Sequence, residues 1–229
     1  IKDELIQIRD KYGDKRRSEI GPSVENMPIE DLIPNTPQVV LLSKNGFIGA
    51  NITIPHKRAA IKTCSEISNT ARRVGAVNTL ITKPGGKLIG DNTDPYGFIK
   101  NLKKANEKWN AKKTKALILG AGGASRSVCY GLLKEGVPEI YVLNRDRMNA
   151  ENLKSQIAGS LTVKSWEDRH LLLNWATLLV NTTSLGMVGM HDLDISLENL
   201  SETAIVCDIV YTPLNTKLLK SARERGNPT

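Results

Sequence analysis

The second half of the chain alternates short apolar runs with amphipathic segments. Strands are predicted over 116–119, 140–143, 178–181 and 205–208, where apolar side chains follow one another between polar or glycine residues. Helical spacing of apolar residues predicts a helix over 126–135, between the first two of these strands. Short apolar strands that alternate with helices are typical of a doubly wound parallel sheet, and we therefore expect an α/β protein.

The first half of the chain is less regular and richer in turn residues. Its predicted elements are a strand over 39–42, a strand over 51–54, a helix over 59–74 and a strand over 76–81. The pair Asp94-Pro95 predicts the start of another helix, because Asp is a good N-cap and Pro suits the first helical position. We therefore expect the Asp94 carboxylate at a strand-to-helix corner, where functional polar groups are often found.

Composition narrows the class of protein. Among the 229 residues, 40% are hydrophobic and 24% are charged, which is typical of a soluble globular chain. No apolar run approaches the roughly 20 residues of a membrane span, and the charged first residues do not resemble a secretory signal. The cysteines are odd in number and lack metal-ligand spacing, which favours a cytoplasmic protein with free thiols and no metal site: Cys64, Cys129 and Cys207.

The net charge of +8 raises the question of a nucleic-acid partner. Residues 1–48 carry seven basic and eight acidic side chains, so the excess lies in the rest of the chain, where it is scattered. A scattered excess favours an enzyme that attracts anionic substrates over a surface that binds nucleic acid.

A glycine-rich turn follows the predicted strand at 116–119 and opens the helix after it. Glycines in this position allow a tight turn and a close approach of the backbone amides to a pyrophosphate. The alternative is an ordinary tight turn without a ligand. The candidate cofactor-binding residues of the turn are Gly120, Ala121, Gly122, Gly123 and Ala124, with Ser125 in place of a third glycine.

The residues after the strand at 140–143 bear on the choice between NAD and NADP. An acid there would bind the ribose 2′-hydroxyl, whereas an arginine would pair with a 2′-phosphate. The chain reads Asn144-Arg145-Asp146-Arg147. The two arginines favour NADP, while Asp146 would repel the phosphate and keeps NAD open.

Several short motifs occur together in one order and at regular spacing. They are Asn51-Ile52-Thr53-Ile54-Pro55-His56-Lys57, Gly75-Ala76-Val77-Asn78-Thr79, Gly90-Asp91-Asn92-Thr93-Asp94, Asn181-Thr182-Thr183-Ser184 and Asp208-Ile209-Val210-Tyr211, together with the glycine turn. In combination they resemble shikimate dehydrogenase over about residues 46–226. The resemblance implies a Rossmann-type NADP domain over 111–229 and an incomplete α/β substrate domain over 49–110.

The resemblance also implies a reaction and a set of site residues. The reaction is the reversible, NADP-dependent reduction of 3-dehydroshikimate to shikimate, a step of chorismate and aromatic amino-acid biosynthesis. Lys57 and Asp94 match the catalytic pair, and a lysine beside a carboxylate can give and take the proton that this reaction needs. The matching substrate contacts are Thr53, Asn78, Asp94 and Tyr211, and the positions near the nicotinamide are Thr183 and Ile209.

Two departures from the family pattern concern the ends of the chain. No Ser-x-Ser motif, which grips the substrate carboxylate in the family, precedes Asn51, and the family's closing Gln-containing helix is absent. Residues 1–48 instead resemble a segment of the A subunit of bacterial type IIA topoisomerases. We therefore expect an appended segment over 1–48 and a substrate domain that is only partly present.

Three other functions remain open on the sequence alone. One is a quinate/shikimate dehydrogenase that uses NAD as well as NADP, a second is a non-catalytic dinucleotide-binding module, and a third is a DNA-associated fragment. A homodimer is possible under each enzymatic alternative.

Overall fold

The computed structural model describes residues 39–43, 46–53, 56–157 and 159–229. Ten strands lie in these ranges: β1 (Val39–Ser43), β2 (Gly46–Asn51), β3 (Glu66–Ile67), β4 (Thr79–Thr82), β5 (Leu88–Asp91), β6 (Lys115–Leu119), β7 (Glu139–Leu143), β8 (Leu161–Lys164), β9 (Leu178–Asn181) and β10 (Ile205–Asp208). The α-helices are α1 (Asn69–Val74), α2 (Asp94–Ala105), α3 (Gly123–Lys134), α4 (Arg147–Gln156) and α5 (Lys217–Glu224).

The strands form two five-stranded sheets. The first has the order β1-β2-β4-β5-β3 and is antiparallel except for the β3–β5 pair. The second has the order β10-β9-β6-β7-β8, and all of its pairs are parallel. The chain moves outward from β6 in one direction and then returns to its other side, which is the doubly wound arrangement that the apolar runs predict.

The core of the second sheet lies on both of its faces. The central strand β6 places Ala116 and Ile118 in one buried cluster and Leu117 and Leu119 in another. All four side chains are fully enclosed. A strand buried on both faces reads as a continuous apolar run, which explains why β6 was recognisable in the sequence.

Helices α2 and α3 pack closely because of a glycine. A Cβ atom on Gly131 of α3 would lie 3.0 Å from Ile99 Cγ1 and 3.1 Å from the Pro95 carbonyl oxygen of α2. Since α2 begins at Asp94, this contact sets the position of the Asp94 end of α2 relative to the second sheet.

The helix predicted over 59–74 is wrong. This segment folds as a 3₁₀ turn (Ala59–Thr63), strand β3 and helix α1. Its middle joins the first sheet, where the Ser65 and Ser68 amides donate to the Leu88 and Gly90 carbonyls at 2.8 and 2.9 Å. The Ser68 hydroxyl also accepts from the Ala71 amide at 3.0 Å and caps α1.

The strand predicted over 51–54 is shifted in the structure, since β2 ends at Asn51. The Ile52 amide still donates to the Asn78 carbonyl at 2.7 Å, which ties the following loop to the chain just before β4. Within the described ranges, no helix combines the length and apolar character that a membrane span requires.

Candidate active site

Four neighbouring strands of the second sheet end at the same edge, and each is followed by a predicted site residue. Strand β6 leads into the glycine turn, β7 into Asn144, β9 into the Thr183 loop and β10 into Ile209. In open parallel sheets the crevice at the carboxyl ends of the strands is the usual ligand site.

In the glycine turn, one glycine is required by the local packing, and two others have empty space where a side chain would be. Gly120 has φ +105°, and a Cβ there would lie 2.8 Å from Thr182 Oγ1, so a side chain does not fit. A Cβ on Gly122 or Gly123 would meet nothing within 4 Å. The backbone at the start of α3 is therefore uncovered, and the site fits the phosphates of a dinucleotide.

The side chain of Asp146 caps helix α4. Its Oδ1 accepts from the Met148 amide and its Oδ2 from Asn149 Nδ2, both at 2.9 Å. Both carboxylate oxygens thus have partners on α4 itself. This use competes with the interaction predicted from the sequence, in which Asp146 faces the adenosine ribose.

The neighbouring arginines are on the surface. Arg145 and Arg147 are exposed, and Arg147 lies 3.5 Å from Glu151 one turn along α4. Asn144 donates through Nδ2 to the Asp146 carbonyl at 2.7 Å, which closes the turn after β7.

Lys57, Asn78 and Asp94 form one hydrogen-bonded cluster. Lys57 Nζ lies 2.7 Å from Asp94 Oδ2, and Asn78 Nδ2 donates to Asp94 Oδ1 at the same distance. The Val77 amide donates to the Lys57 carbonyl at 2.8 Å, which fixes the backbone beneath this cluster. The lysine and aspartate side chains keep 26% and 34% of their surface exposed, so a substrate can reach them.

The start of α2 differs from the prediction in one respect. Asp94 is the first helical residue, as expected, but its side chain is not the N-cap. Asn92 Oδ1 accepts from the Asp94 amide at 3.1 Å, and Asn92 Nδ2 donates to the Ala76 carbonyl at 2.9 Å. Because the buried Asn92 serves the helix end, the Asp94 carboxylate is available to Lys57.

The other predicted substrate and nicotinamide positions lie on nearby loops. Thr53 is exposed just after β2, and Tyr211 is 77% exposed just after β10. Thr183 and Ile209 are tied to the end of β9, since Asn181 Oδ1 accepts from Thr183 Oγ1 at 2.7 Å and the Asn181 carbonyl accepts from the Ile209 amide at 3.1 Å.

Asp208 links these loops. It accepts from Asn181 Nδ2 at 3.0 Å, from the Val210 amide at 3.0 Å and from Thr216 Oγ1 at 2.8 Å. Burial raises the pKa of Asp208 above its ordinary value, and the three hydrogen bonds oppose that shift. Asp208 therefore organises the edge where β9 and β10 end.

A cavity of about 360 Å³ lies beside the glycine turn, and several of its residues were missed by the sequence reasoning. We call it the arginine cavity. Its lining is Arg58, Ala121, Gly122, Gly123, Arg126, Asn144, Asn149, Asn152 and Gln156. The only sequence signal was position, since Arg58 follows Lys57 and Arg126 follows the glycine turn.

Comparisons with known proteins place the chain in a family. The model of the shikimate dehydrogenase substrate binding domain matches residues 25–80, and that of shikimate / quinate 5-dehydrogenase matches residues 102–215. The shikimate dehydrogenase (NADP(+)) of Paramagnetospirillum magneticum is 46% identical over 187 residues, which are 82% of this chain and 68% of that relative. The chain belongs to the shikimate dehydrogenase family. This confirms the predicted family. It also confirms the oxidoreductase class, the reaction and the cofactor NADP that were predicted from membership of that family.

Two solved structures confirm the predicted α/β fold. Quinate dehydrogenase from Corynebacterium glutamicum in complex with NAD gives a TM-score of 0.75 at 30% identity, covering 81% of this chain and 67% of that one. Shikimate 5-dehydrogenase from Thermus thermophilus in complex with NADP(H) and shikimate gives 0.68 at 35% identity, covering 79% and 65%. The chain spans about two thirds of the length of these relatives.

The matches give no support to the topoisomerase resemblance of residues 1–48. The match to the substrate binding domain begins at residue 25, inside the segment predicted to be appended. Residues 1–38 lie outside the described part of the structure. Among the described residues, no group of three or more His, Cys, Asp or Glu side chains is placed to hold a metal ion.

Proposed function

We propose that this chain reduces 3-dehydroshikimate to shikimate reversibly with NADP, using Lys57 and Asp94 as its catalytic pair. The observation that carries the proposal is the cluster in which Asp94 bonds both Lys57 and Asn78 at 2.7 Å. The cluster is accessible, and the residue after Lys57 lines the arginine cavity next to the glycine turn. The family assignment supports the choice of reaction.

When bound, NADPH would supply the hydride for reduction, and NADP⁺ would accept it in the oxidation direction. Reduction of the ring ketone builds negative charge on its oxygen, and a proton must reach that oxygen. Lys57 Nζ donates this proton, while the Asp94 carboxylate 2.7 Å away orients the ammonium group. In the oxidation direction the Lys57–Asp94 pair takes the proton of the substrate hydroxyl.

Asn78, Thr53 and Tyr211 serve as substrate contacts in this proposal. Their amide and hydroxyl groups suit a ring that carries several hydroxyls. Asn78 is positioned by its bond to Asp94 and by the Thr93 amide, which donates to Asn78 Oδ1 at 3.0 Å. Thr183 and Ile209 border the nicotinamide side of the cleft.

NADP is the cofactor of this proposal, with NAD as the weaker alternative. The Asp146 carboxylate is engaged at the N-terminus of α4, so its negative charge is partly satisfied there. Free cysteines support the cytoplasmic location that the proposal includes. The homodimer stays a prediction, which sedimentation equilibrium can check.

The test is shikimate-dependent reduction of NADP⁺, followed by absorbance at the nicotinamide band. We expect Lys57→Ala and Asp94→Asn each to lower kcat by about 10²–10⁴-fold, which is the usual effect of removing a general acid or base. Calorimetry should show unchanged affinity for NADP⁺ in both variants.

The matched control is Lys103→Ala. Lys103 also pairs with a carboxylate, Glu135, at 2.6 Å, but lies on the outer surface of α2. Its loss should leave kcat unchanged. Turnover by Lys57→Ala at the rate of the unsubstituted chain, or no turnover by the unsubstituted chain itself, would contradict the proposal.

A further inference from the structure

The ends of β9 and β10 are joined by a bond between two side chains. Asn181 and Asp208 are the last residues of these parallel strands and are partners in their register. Asn181 Nδ2 donates to Asp208 Oδ1 at 3.0 Å. After these two residues the chain continues into two loops, one with Thr183 and the other with Ile209 and Tyr211. The relative position of the loops therefore depends on what holds the strand ends together.

Every hydrogen-bonding group of the Asn181 side chain is in use, and the residue is fully buried. Its Oδ1 accepts from the amide and the hydroxyl of Thr183 at 3.0 and 2.7 Å. Its Nδ2 donates to the Leu185 carbonyl at 3.1 Å as well as to Asp208. A side-chain amide can rotate and exchange its oxygen with its nitrogen, but an ionised carboxylate only accepts. Asp208 therefore keeps the Asn181 oxygen directed at Thr183.

The same carboxylate holds the second loop and a helix. Asp208 Oδ1 also accepts from the amide of Val210, the residue between Ile209 and Tyr211, at 3.0 Å. Its Oδ2 accepts from Thr216 Oγ1 at 2.8 Å, and Thr216 is the N-cap of α5. Thr216 is 1% exposed, so this bond is shielded from water. One side chain thus fixes both loops and anchors them to a helix.

These contacts lie on one side of the second sheet. The strand order β10-β9-β6-β7-β8 separates Asp208 from β6, which leads into the glycine turn, and from β7, which leads into Asn144. All three hydrogen bonds of the Asp208 carboxylate go to β9, the segment after β10 and the start of α5. Loss of Asp208 should therefore disturb the two loops and leave the glycine turn in place.

We infer that Asp208 is a positioning residue, which holds the loops of Thr183 and Tyr211 in the arrangement that hydride transfer requires. The inference rests on the proposed function, in which Thr183 and Ile209 border the nicotinamide and Tyr211 contacts the substrate. Asp208 acts through Asn181 and the backbone of the second loop rather than by contact with either ligand. A displacement of about 1 Å between reacting groups can lower a rate about 10²-fold, so a modest shift of the loops is sufficient.

The first measurement compares two ligands of Asp208→Ala by calorimetry. One is NADP⁺, and the other is adenosine 2′,5′-bisphosphate, which has the adenosine half of the cofactor without the nicotinamide. We expect NADP⁺ to bind about threefold to tenfold more weakly, the usual effect of one lost hydrogen bond. The affinity for the bisphosphate should change by less than about twofold. A general loss of stability would weaken both ligands alike.

The second measurement is shikimate-dependent reduction of NADP⁺ at saturating concentrations of both. We expect kcat of Asp208→Ala to be about 10²-fold lower. Asp208→Asn should restore most of it, because an amide oxygen accepts from Asn181 and Val210 as the carboxylate does. Thr216→Val removes only the bond to α5 and should show the same pattern with smaller changes. Circular dichroism shows whether each variant is folded, and Thr216→Val carries the comparison if Asp208→Ala is not.

The matched control is Asp192→Ala. Asp192 is an exposed carboxylate that also lies near α5, 3.5 Å from Lys217. Its loss should leave both affinities and kcat unchanged.

Three results would overturn the inference: equal weakening of NADP⁺ and the bisphosphate, unchanged affinity for NADP⁺, or turnover by Asp208→Asn as slow as that of Asp208→Ala. An unsubstituted chain that binds both ligands without turnover would contradict the proposed function alone. The difference between the two affinities would then still decide whether Asp208 holds the nicotinamide side.

Discussion

The Asp94 carboxylate is available to Lys57 because the side-chain amide of Asn92 makes the hydrogen bond at the start of α2. Asn92 accepts from the Asp94 amide and donates to the Ala76 carbonyl, and it is only 3% exposed. Buried amides of this kind are costly to remove, since the groups they leave behind lose their partners. Asn92 is therefore a positioning residue for the Lys57–Asp94 pair.

Replacing Asn92 with Ala should destabilise the protein and disturb the pair. Two hydrogen bonds are lost, one of them to a buried carbonyl, so we expect a loss of about 1–3 kcal/mol in the free energy of unfolding. Urea denaturation measures this loss, and kcat should fall while the affinity for NADP⁺ is kept. Asn101→Ala, at an exposed residue of α2, serves as the control, and equal effects of both changes would contradict this role.

At the scale of the elements, the glycine turn contains one glycine that the fold requires and another that we expect to affect only cofactor binding. Gly123→Ala should leave stability unchanged because nothing lies within 4 Å of the added Cβ. The same methyl group would cover amides that a phosphate needs, so we expect affinity for both cofactors to fall about tenfold or more. Thermal unfolding and calorimetry measure the two effects.

Gly120→Ala provides the contrast. Its positive φ and the contact of 2.8 Å with Thr182 Oγ1 predict a destabilisation on the order of 1–3 kcal/mol. If Gly123→Ala unfolded as easily as Gly120→Ala, the space at the start of α3 would not be open. If Gly123→Ala kept its affinity for both cofactors, the start of α3 would not be a binding surface.

The junction of α2 and α3 offers a second pair of glycines with opposite expectations. Gly97→Ala on the exposed side of α2 should stabilise the protein by roughly 0.5–1 kcal/mol, because Ala loses less conformational entropy in a helix. Gly131→Ala should destabilise it, since the new methyl would lie 3.0 Å from Ile99 and 3.1 Å from the Pro95 carbonyl. Equal shifts in the midpoint of urea unfolding would disprove the close contact.

For the molecule as a whole, the edge of the second sheet is tied together by a half-buried carboxylate. Asp208 joins β9, the segment after β10 and Thr216 at the N-terminus of α5. Its raised pKa, caused first by burial, makes global stability depend on pH. Above the unfolded value of about 3.9 the folded state holds its proton longer, so stability falls as the pH rises towards the folded pKa and then levels off.

Asp208→Asn should remove this part of the pH dependence. We expect the free energy of unfolding of the unsubstituted protein, relative to Asp208→Asn, to fall as the pH rises from the ordinary unfolded pKa through the raised folded pKa of Asp208. Urea unfolding at several pH values measures it. Asp192→Asn, at an exposed residue 3.5 Å from Lys217, is the control. A relative stability that rises with pH would mean that Asp208 is stabilised in its charged form.

Regular patterns of side chains predicted four of the five strands of the second sheet, whereas β8 was not predicted. The bounds of β9 and β10 were predicted from short apolar runs, and the glycine turn was recognised by its place after β6. These features are local, because a strand buried on both faces and a turn with positive φ restrict the residue types at each position. The start of α2 at Asp94 was also predicted, because the Asp94-Pro95 pair is a local signal too.

The tertiary structure decided what contacts are made between distant segments. The apolar positions of residues 59–74 suit a helix, but pairing with β5 makes their middle a strand. Asp94 is predicted as an N-cap, but in the structure Asn92 Oδ1 accepts from the Asp94 amide. Arg58 had no sequence signal beyond its position after Lys57, and the fold places it in a cavity with Arg126, 68 positions away. Periodicity determines which segments can form elements, whereas the partners of a carboxylate or a guanidinium are chosen only when the sheets and helices pack.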